Sequence, residues 1–308
     1  LGDVYKRQRD DDDRPEAEAM PAKLATPSRT LPAALAAKLA EQGYAFAFQP
    51  IVDLIDRTVS SYEALIRGPR GESPKDLLSS LKGKELHRLD LLSKGLAIQT
   101  AAYLGIGAAR LSLNLLPGAL LVQEDTVGFI AAQAHQYGID PRQIVIEITE
   151  EELIADIGAT RKIIDQIKGA GMAVAIDDFG AGYAGLAMLA DVQPNKLKID
   201  ISIIRGIDSH GPRQAIVRAI VEFCYSLGIR VVAEGVETAE QRDLLYEMGC
   251  SHAQGYLYAQ PVAGHEIQGV LASNQKSPSI PRTMTSPDHE TSRIQRHLQN
   301  LEDLMRQQ

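Results

Sequence analysis

Acidic and amide side chains recur in or at the end of short apolar runs: Glu63 in SYEALIR, Asn114 in LSLNLL, Glu147 in VIEIT, Asp177 and Asp178 in AIDDFG, and Glu234 in VVAEGVE. Lys198 in KLKID and Gln254 before GYLY continue the series. Any one of these is as readily a hydrogen-bonded structural residue as a ligand. Together they pose an electrostatic problem, because two carboxylates about 4 Å apart repel by on the order of 4 kcal/mol at an effective dielectric of about 20. A cation among them would offset this. Oxygen donors from carboxylates and one amide suit Mg2+ or Mn2+, whereas Zn2+ prefers His or Cys, and none of the seven histidines falls in these motifs.

Eight strand-like runs carry these residues, at 46–54, 58–66, 110–115, 144–149, 173–178, 196–200, 230–234 and 252–258. Longer helical stretches separate most of them, such as 158–170, with Ile163, Ile164 and Ile167 on one face, and 213–227. This alternation predicts an α/β fold, a modified TIM (β/α)8 barrel. Only residues 55–57 join the first two strands, too short a link for a helical crossover, so an antiparallel strand is expected near the N-terminus. In 144–149 the isoleucines share one face while Val145, Glu147 and Thr149 share the other. Both faces of a barrel strand are covered, so Glu147 must find a partner inside. Barrel chemistry sits at the C-terminal strand ends, where these polar residues fall.

The net charge of -8 and pI near 5.4 argue against a nucleic-acid polymer as partner, which needs clustered Lys and Arg. Cys224 and Cys250 fit neither a disulfide framework nor a zinc site, which suits a reducing, cytoplasmic location. No apolar run reaches the roughly 18 residues of a membrane span, and the N-terminus lacks a signal-peptide layout. Residues 1–30, with acidic 10–13, read as a solvated tail, 31–272 as the domain, and 273–308 as a Ser/Pro/Thr-rich linker and a polar segment whose Leu298, Leu301 and Leu304 suit a helix. Leu1 to Gln8 is set aside as foreign to the fold, and further protein is expected upstream.

The motifs resemble those of the EAL domain family. Glu63-Ala64-Leu65 with Arg67 is the family signature, preceded by FQPIVDL at 48–54 and followed in family order by SLNL, EITE, DDFGAGY at 177–183, KID at 198–200, AEGVE at 233–237 and QGYLY at 254–258. The resemblance covers about residues 42–265. It implies a bacterial phosphodiesterase that opens cyclic di-GMP to linear pGpG with two Mg2+ or Mn2+ ions and is inhibited by Ca2+. Glu63, Asn114, Glu147 and Asp177 would hold one ion, and Asp177, Asp178 and Glu234 the other. Lys198 would contact the attacking water, as base or as fixed charge, with Asp200 orienting it, and Glu237 would assist. Gln49, Arg67 and Gln254 would contact the nucleotide. Glu150, Phe179, Gly180, Gly182 and Tyr183 belong to a loop that the resemblance links to dimerisation. It further implies a homodimer and an N-terminal sensor domain outside this chain.

Departures from the family pattern are Ala184 and Gly185 for two serines, and Ile201 after KID for arginine. They spare the ligands but put the loop's order, and hence turnover, in question. The stretch GPRGESPKD at 68–76 resembles EAL domains attached to blue-light sensors. Gly180, Gly182 and Gly185 also match GxGxxG, but two aspartates before the turn would repel a pyrophosphate. DFG and His87-Arg88-Leu89-Asp90 lack the Gly-rich ATP loop of a kinase. Tyr62 and Tyr183 suit packing, or stacking on guanine. The rival reading is a non-hydrolytic cyclic di-GMP receptor or a protein-interaction module.

Overall fold

The computed structural model describes residues 38–116, 125–151, 157–182 and 186–267. Both expected tails, the outer limits of the domain at 31 and 272, and Tyr183 lie outside these residues.

Strands β1 (Ala45–Asp53) and β2 (Val59–Arg67) form an antiparallel hairpin that sets Gln49 opposite Glu63. Asp53 closes the short link by accepting the Ile55 and Asp56 N–H groups at 2.8 and 3.1 Å. From β2 onward β3 (Arg110–Asn114), β4 (Ile144–Thr149), β5 (Ala173–Phe179), β6 (Lys196–Ile199), β7 (Arg230–Ala233) and β8 (His252–Ala253) pair in parallel, in chain order. Strand β8 then meets β1 antiparallel and closes an eight-strand barrel, as the alternation predicts. A short β9 (Val262–Ala263), not anticipated, adds to β1 outside this circuit.

Helices α1 (Pro74–Ser79), α2 (Gly83–Leu104), α3 (Thr126–Gln136), α4 (Ile157–Gly169), α5 (Leu186–Val192), α6 (Ile201–Ile204), α7 (Gly211–Ser226) and α8 (Ala239–Glu247) connect or flank the strands. Their ends follow local chemistry: Ser73 caps α1, Gly105 ends α2 in the left-handed region, and Thr238 and Gln241 form a capping box on α8. Helix α4 buries Ile163, Ile164 and Ile167, the predicted face. The core lies between helices and barrel, where outward-facing Leu111, Leu113, Ile144, Ile146, Ile148, Val174 and Ile176 are almost wholly buried. The barrel interior is left to the alternate, largely polar positions.

Most strand ends shift from expectation by one residue, and β8 ends five residues early. Strand β8 stops at Ala253 rather than Tyr258, because the chain folds across the loop after β7. Leu257 N–H donates to Val236 O at 3.0 Å, and a Cβ at Gly255 would stand 2.2 Å from that oxygen. Strand β6 stops at Ile199 because Asp200 turns to cap α6, accepting Ser202 N–H at 2.8 Å. No helix among the described residues is long and apolar enough to cross a membrane.

Candidate active site

The parallel strands bring their polar C-terminal ends to one mouth of the barrel. Lys198 Nζ lies 2.9 Å from Asp177 Oδ1, 2.9 Å from Glu234 Oε1, 3.0 Å from Glu147 Oε2 and 3.3 Å from Glu63 Oε2. The repulsion foreseen from sequence is real, and here one ammonium group stands among four carboxylates. Glu63 is held on both oxygens: Oε1 accepts from Asn114 Nδ2 at 2.9 Å, and Oε2 from Gln254 Nε2 at 2.7 Å. Gln254 Nε2 also donates to Gln49 Oε1 at 2.9 Å, and Gln49 Nε2 to Ala259 O at 3.1 Å. Gln49 and Gln254 therefore stand behind Glu63 as a chain of amides that fixes its orientation.

The ring is electrostatically uneven. Burial pushes Glu63 up, but the Lys198 charge and hydrogen bonds from Gln254 and Asn114 reverse this and leave its pKa low. Glu147 is raised to about 7, mainly by burial, with Glu63 and Asp177 adding to it against Lys198. Burial also raises Asp177 and, strongly, Glu234. Asp178, at a left-handed φ of 54° with its N–H on Asp177 Oδ1, is raised to about 6 by desolvation and then by Asp177. Lys198 is desolvated too, yet Asp177, Glu147, Glu234 and Glu63 together hold its pKa well above the ordinary value.

Carboxylate oxygens of Glu63, Glu147 and Asp177 lie within 4.8 Å of one another, and so do those of Asp177, Asp178 and Glu234. The two trios share Asp177, the residue expected to bridge. Glu147 Oε1 is buried with no hydrogen-bond partner among the described residues. An all-oxygen donor set with an unmet acceptor fits hard divalent cations.

The remaining expected residues are placed differently. Arg67 turns back on its own strand, its Nη1 donating to Ile66 O at 2.9 Å and Leu65 O at 3.3 Å. Glu237 is exposed, its N–H on Gln241 Oε1 at 2.9 Å. Asp200 serves as the α6 cap, and among the described residues no hydrogen bond joins it to Lys198. Glu150 is buried and its Oε2 accepts Gly180 N–H at 2.6 Å, while Gly182 is packed so closely that a Cβ would stand 3.1 Å from Glu150 Oε1. Phe179 is buried at the base of this loop, and Tyr62 packs fully buried behind β2.

Sequence reasoning passed over Asp90 and Lys94. They form a buried pair on α2 at 2.5 Å, with Asp90 Oδ2 also accepting Leu116 N–H at 3.1 Å. Both line a cavity of about 420 Å³ that runs from Glu63, Asn114, Glu147 and Asp178 between walls of Phe46, Leu78 and Leu113. The signal was available: positions 90, 94, 97 and 101 form one buried helical stripe, and two of its members are charged. A wider groove of about 650 Å³ beside Asp140, Arg142 and Gly171 touches none of these residues.

Residues 32–261 match the EAL domain. The chain belongs to the EAL domain family. This EAL chain is 39% identical over 215 residues to the blue light- and temperature-regulated antirepressor BluF of Escherichia coli, covering 70% of this chain and 53% of that protein. A protein named cyclic di-GMP phosphodiesterase in Pseudomonas aeruginosa is 30% identical over 240 residues, 75% of this chain and 40% of its own length. Among solved structures, BlrP1 of Klebsiella pneumoniae in its manganese/cy-diGMP complex matches with a TM-score of 0.70 and 43% identity, over 72% of this chain and 57% of that one. The chain spans about half the length of these curated relatives.

Proposed function

We propose that this EAL domain hydrolyses one phosphodiester bond of cyclic di-GMP and releases linear pGpG. The observation that carries this reading is the pair of acid trios sharing Asp177 around Lys198, at the mouth of a family barrel whose relatives include a named cyclic di-GMP phosphodiesterase. Two Mg2+ or Mn2+ ions, one on Glu63, Asn114, Glu147 and Asp177 and one on Asp177, Asp178 and Glu234, would supply Lewis-acid charge and a hydroxide at neutral pH.

The chain's own groups do the rest. Asn114 and Gln254 keep Glu63 ionised and aimed. Lys198, held charged by its neighbours, favours the fixed-charge role over that of base. Water oxygen bonds to phosphorus, the phosphorus–O3′ bond breaks, and the 3′ oxygen leaves with a proton. The cavity beside the ring, walled by Phe46, Leu78 and Leu113, is large enough to take a nucleobase. Glu150, gripping the loop at Gly180, is consistent with a coupling of this site to a homodimer contact, and a cyclic di-GMP substrate would suit a bacterial cytoplasmic location.

The test is to incubate the purified protein with cyclic di-GMP and Mg2+ or Mn2+ and follow pGpG by chromatography, with binding measured in Ca2+ in parallel. Steady pGpG release supports hydrolysis. Tight binding without pGpG favours the receptor reading, for which the likeness to a named antirepressor speaks.

A further inference from the structure

The opposite end of the barrel carries the opposite charge. Lys196 lies one inward step below Lys198 on β6, 2% exposed, and its ammonium has a single hydrogen-bond partner among the described residues, Ser61 Oγ at 3.2 Å. Strand register sets Arg230 beside Lys196 and Arg110 beside Ser61, so both guanidinium groups spring from strand starts at the same end. Neither guanidinium group has a hydrogen bond or ion pair among the described residues, although the Arg230 backbone N–H donates to Asn195 O. They are near enough to act on one another: desolvation and then Arg230 lower the Arg110 pKa, and both arginines help depress Lys196. Ser112, one inward step below Asn114, is fully buried with an Oγ that has no partner among the described residues.

The compensating groups are few. Glu147 attracts Lys196 from the acidic ring above. His252, at the foot of β8, is kept neutral, with Nδ1 2.8 Å from Ser251 Oγ and Nε2 3.7 Å from Asp53 Oδ2. Asp53 Oδ1 is already taken by the Ile55 and Asp56 N–H groups. Three cations thus share one end of the barrel, Lys196 buried, Arg110 half-buried and Arg230 exposed, and their unused donors offer an anion a graded path from rim to base.

We propose that this lower end of the barrel is a binding site for a small oxyanion of the phosphate type, with Lys196 and Ser61 Oγ at its base and Arg110 and Arg230 at its rim. It needs no divalent ion and does not rest on the phosphodiesterase reading. A tetrahedral dianion matches the surplus charge, and the forked arginine donors match its oxygens.

Thermal unfolding of the full chain in EDTA, titrated with inorganic phosphate against sodium chloride of equal ionic strength, tests this. The wild type and Glu63→Ala should both show a saturable rise in midpoint, about 5–10 °C at roughly a hundredfold excess over Kd. The double variant Arg110→Gln/Arg230→Gln, altered at the rim and expected to fold, should lose most of that rise, and Lys196→Met should lose it too. A rise that survives in the rim variant, a rise equalled by chloride, or no rise in the wild type would overturn the proposal.

Discussion

Glu63 combines burial with a lowered pKa because three separate groups, Lys198, Asn114 and Gln254, all favour its ionised form. Glu63→Ala should therefore reduce pGpG release by roughly a hundredfold or more while leaving the circular dichroism spectrum unchanged. Turnover at the wild-type rate would show that the ring is not the site. Gln254→Ala removes a 2.7 Å donor from behind the ligand. It should raise the Mg2+ concentration for half-maximal activity about 10–100-fold, and an unchanged requirement would refute an orienting role. Lys198→Met leaves three buried acids and the half-buried Glu234 without their cation. In EDTA it should destabilise the fold by about 3–5 kcal/mol, and Mg2+ should restore most of the loss. A thermal midpoint indifferent to both would contradict the charge balance described above.

At the scale of elements, the loops after β5 and β8 depend on close backbone approach. Gly255 admits no Cβ without meeting Val236 O at 2.2 Å, and both are backbone-anchored. Gly255→Ala should cost about 1–3 kcal/mol and lower the thermal midpoint, while Gly71→Ala, open to solvent but at positive φ, should cost about 1 kcal/mol. Equal midpoints for the two would argue against the packed turn. The same turn explains why the run 252–258 looks like a strand: its hydrophobic composition is strand-like, but the ladder ends where a neighbouring loop takes over its hydrogen bonds. Conversely, β4 matched expectation because every second residue faces the helices and the others face the ring.

The whole barrel is polarised, acidic at the mouth and basic at the foot, which makes stability pH-dependent at both ends. His252 is the clearest case: burial, then Lys196, depress its pKa from 6.5 to about 4, against an attraction from Asp53, with Arg230 and Arg110 adding to the depression. Folding therefore expels a proton. The full stability is present above pH 6.5 and declines as pH falls from there toward 4, by up to on the order of 3 kcal/mol. In denaturant titrations at pH 7 and pH 4.5 His252→Gln should lose less stability than the wild type by about this amount, because Glu147 and Asp178, raised to about 7 and about 6, act in the opposite sense over the same window and are common to both proteins. An equally steep decline in that variant would assign the effect to other groups.

The amino-acid sequence by itself determined the barrel, because period-2 apolar runs alternating with helical ones leave few other ways to bury both kinds of face. It also determined the set of five acids and one amide, since Glu63, Asn114, Glu147, Asp177, Asp178 and Glu234 recur at strand ends, and strand ends converge in any barrel. What only the tertiary structure decided depends on distances between residues far apart in the chain. It placed Lys198 among four carboxylates, set Gln49 and Gln254 behind Glu63, turned Arg67 back onto its own strand, and opened a cavity between the ring and the Asp90–Lys94 pair. It also stacked Lys196, Arg110 and Arg230 at the foot, where charges that look solvated in sequence share one end of a closed sheet. Side-chain periodicity says which face a residue occupies; only strand register and barrel closure say whose company it keeps there.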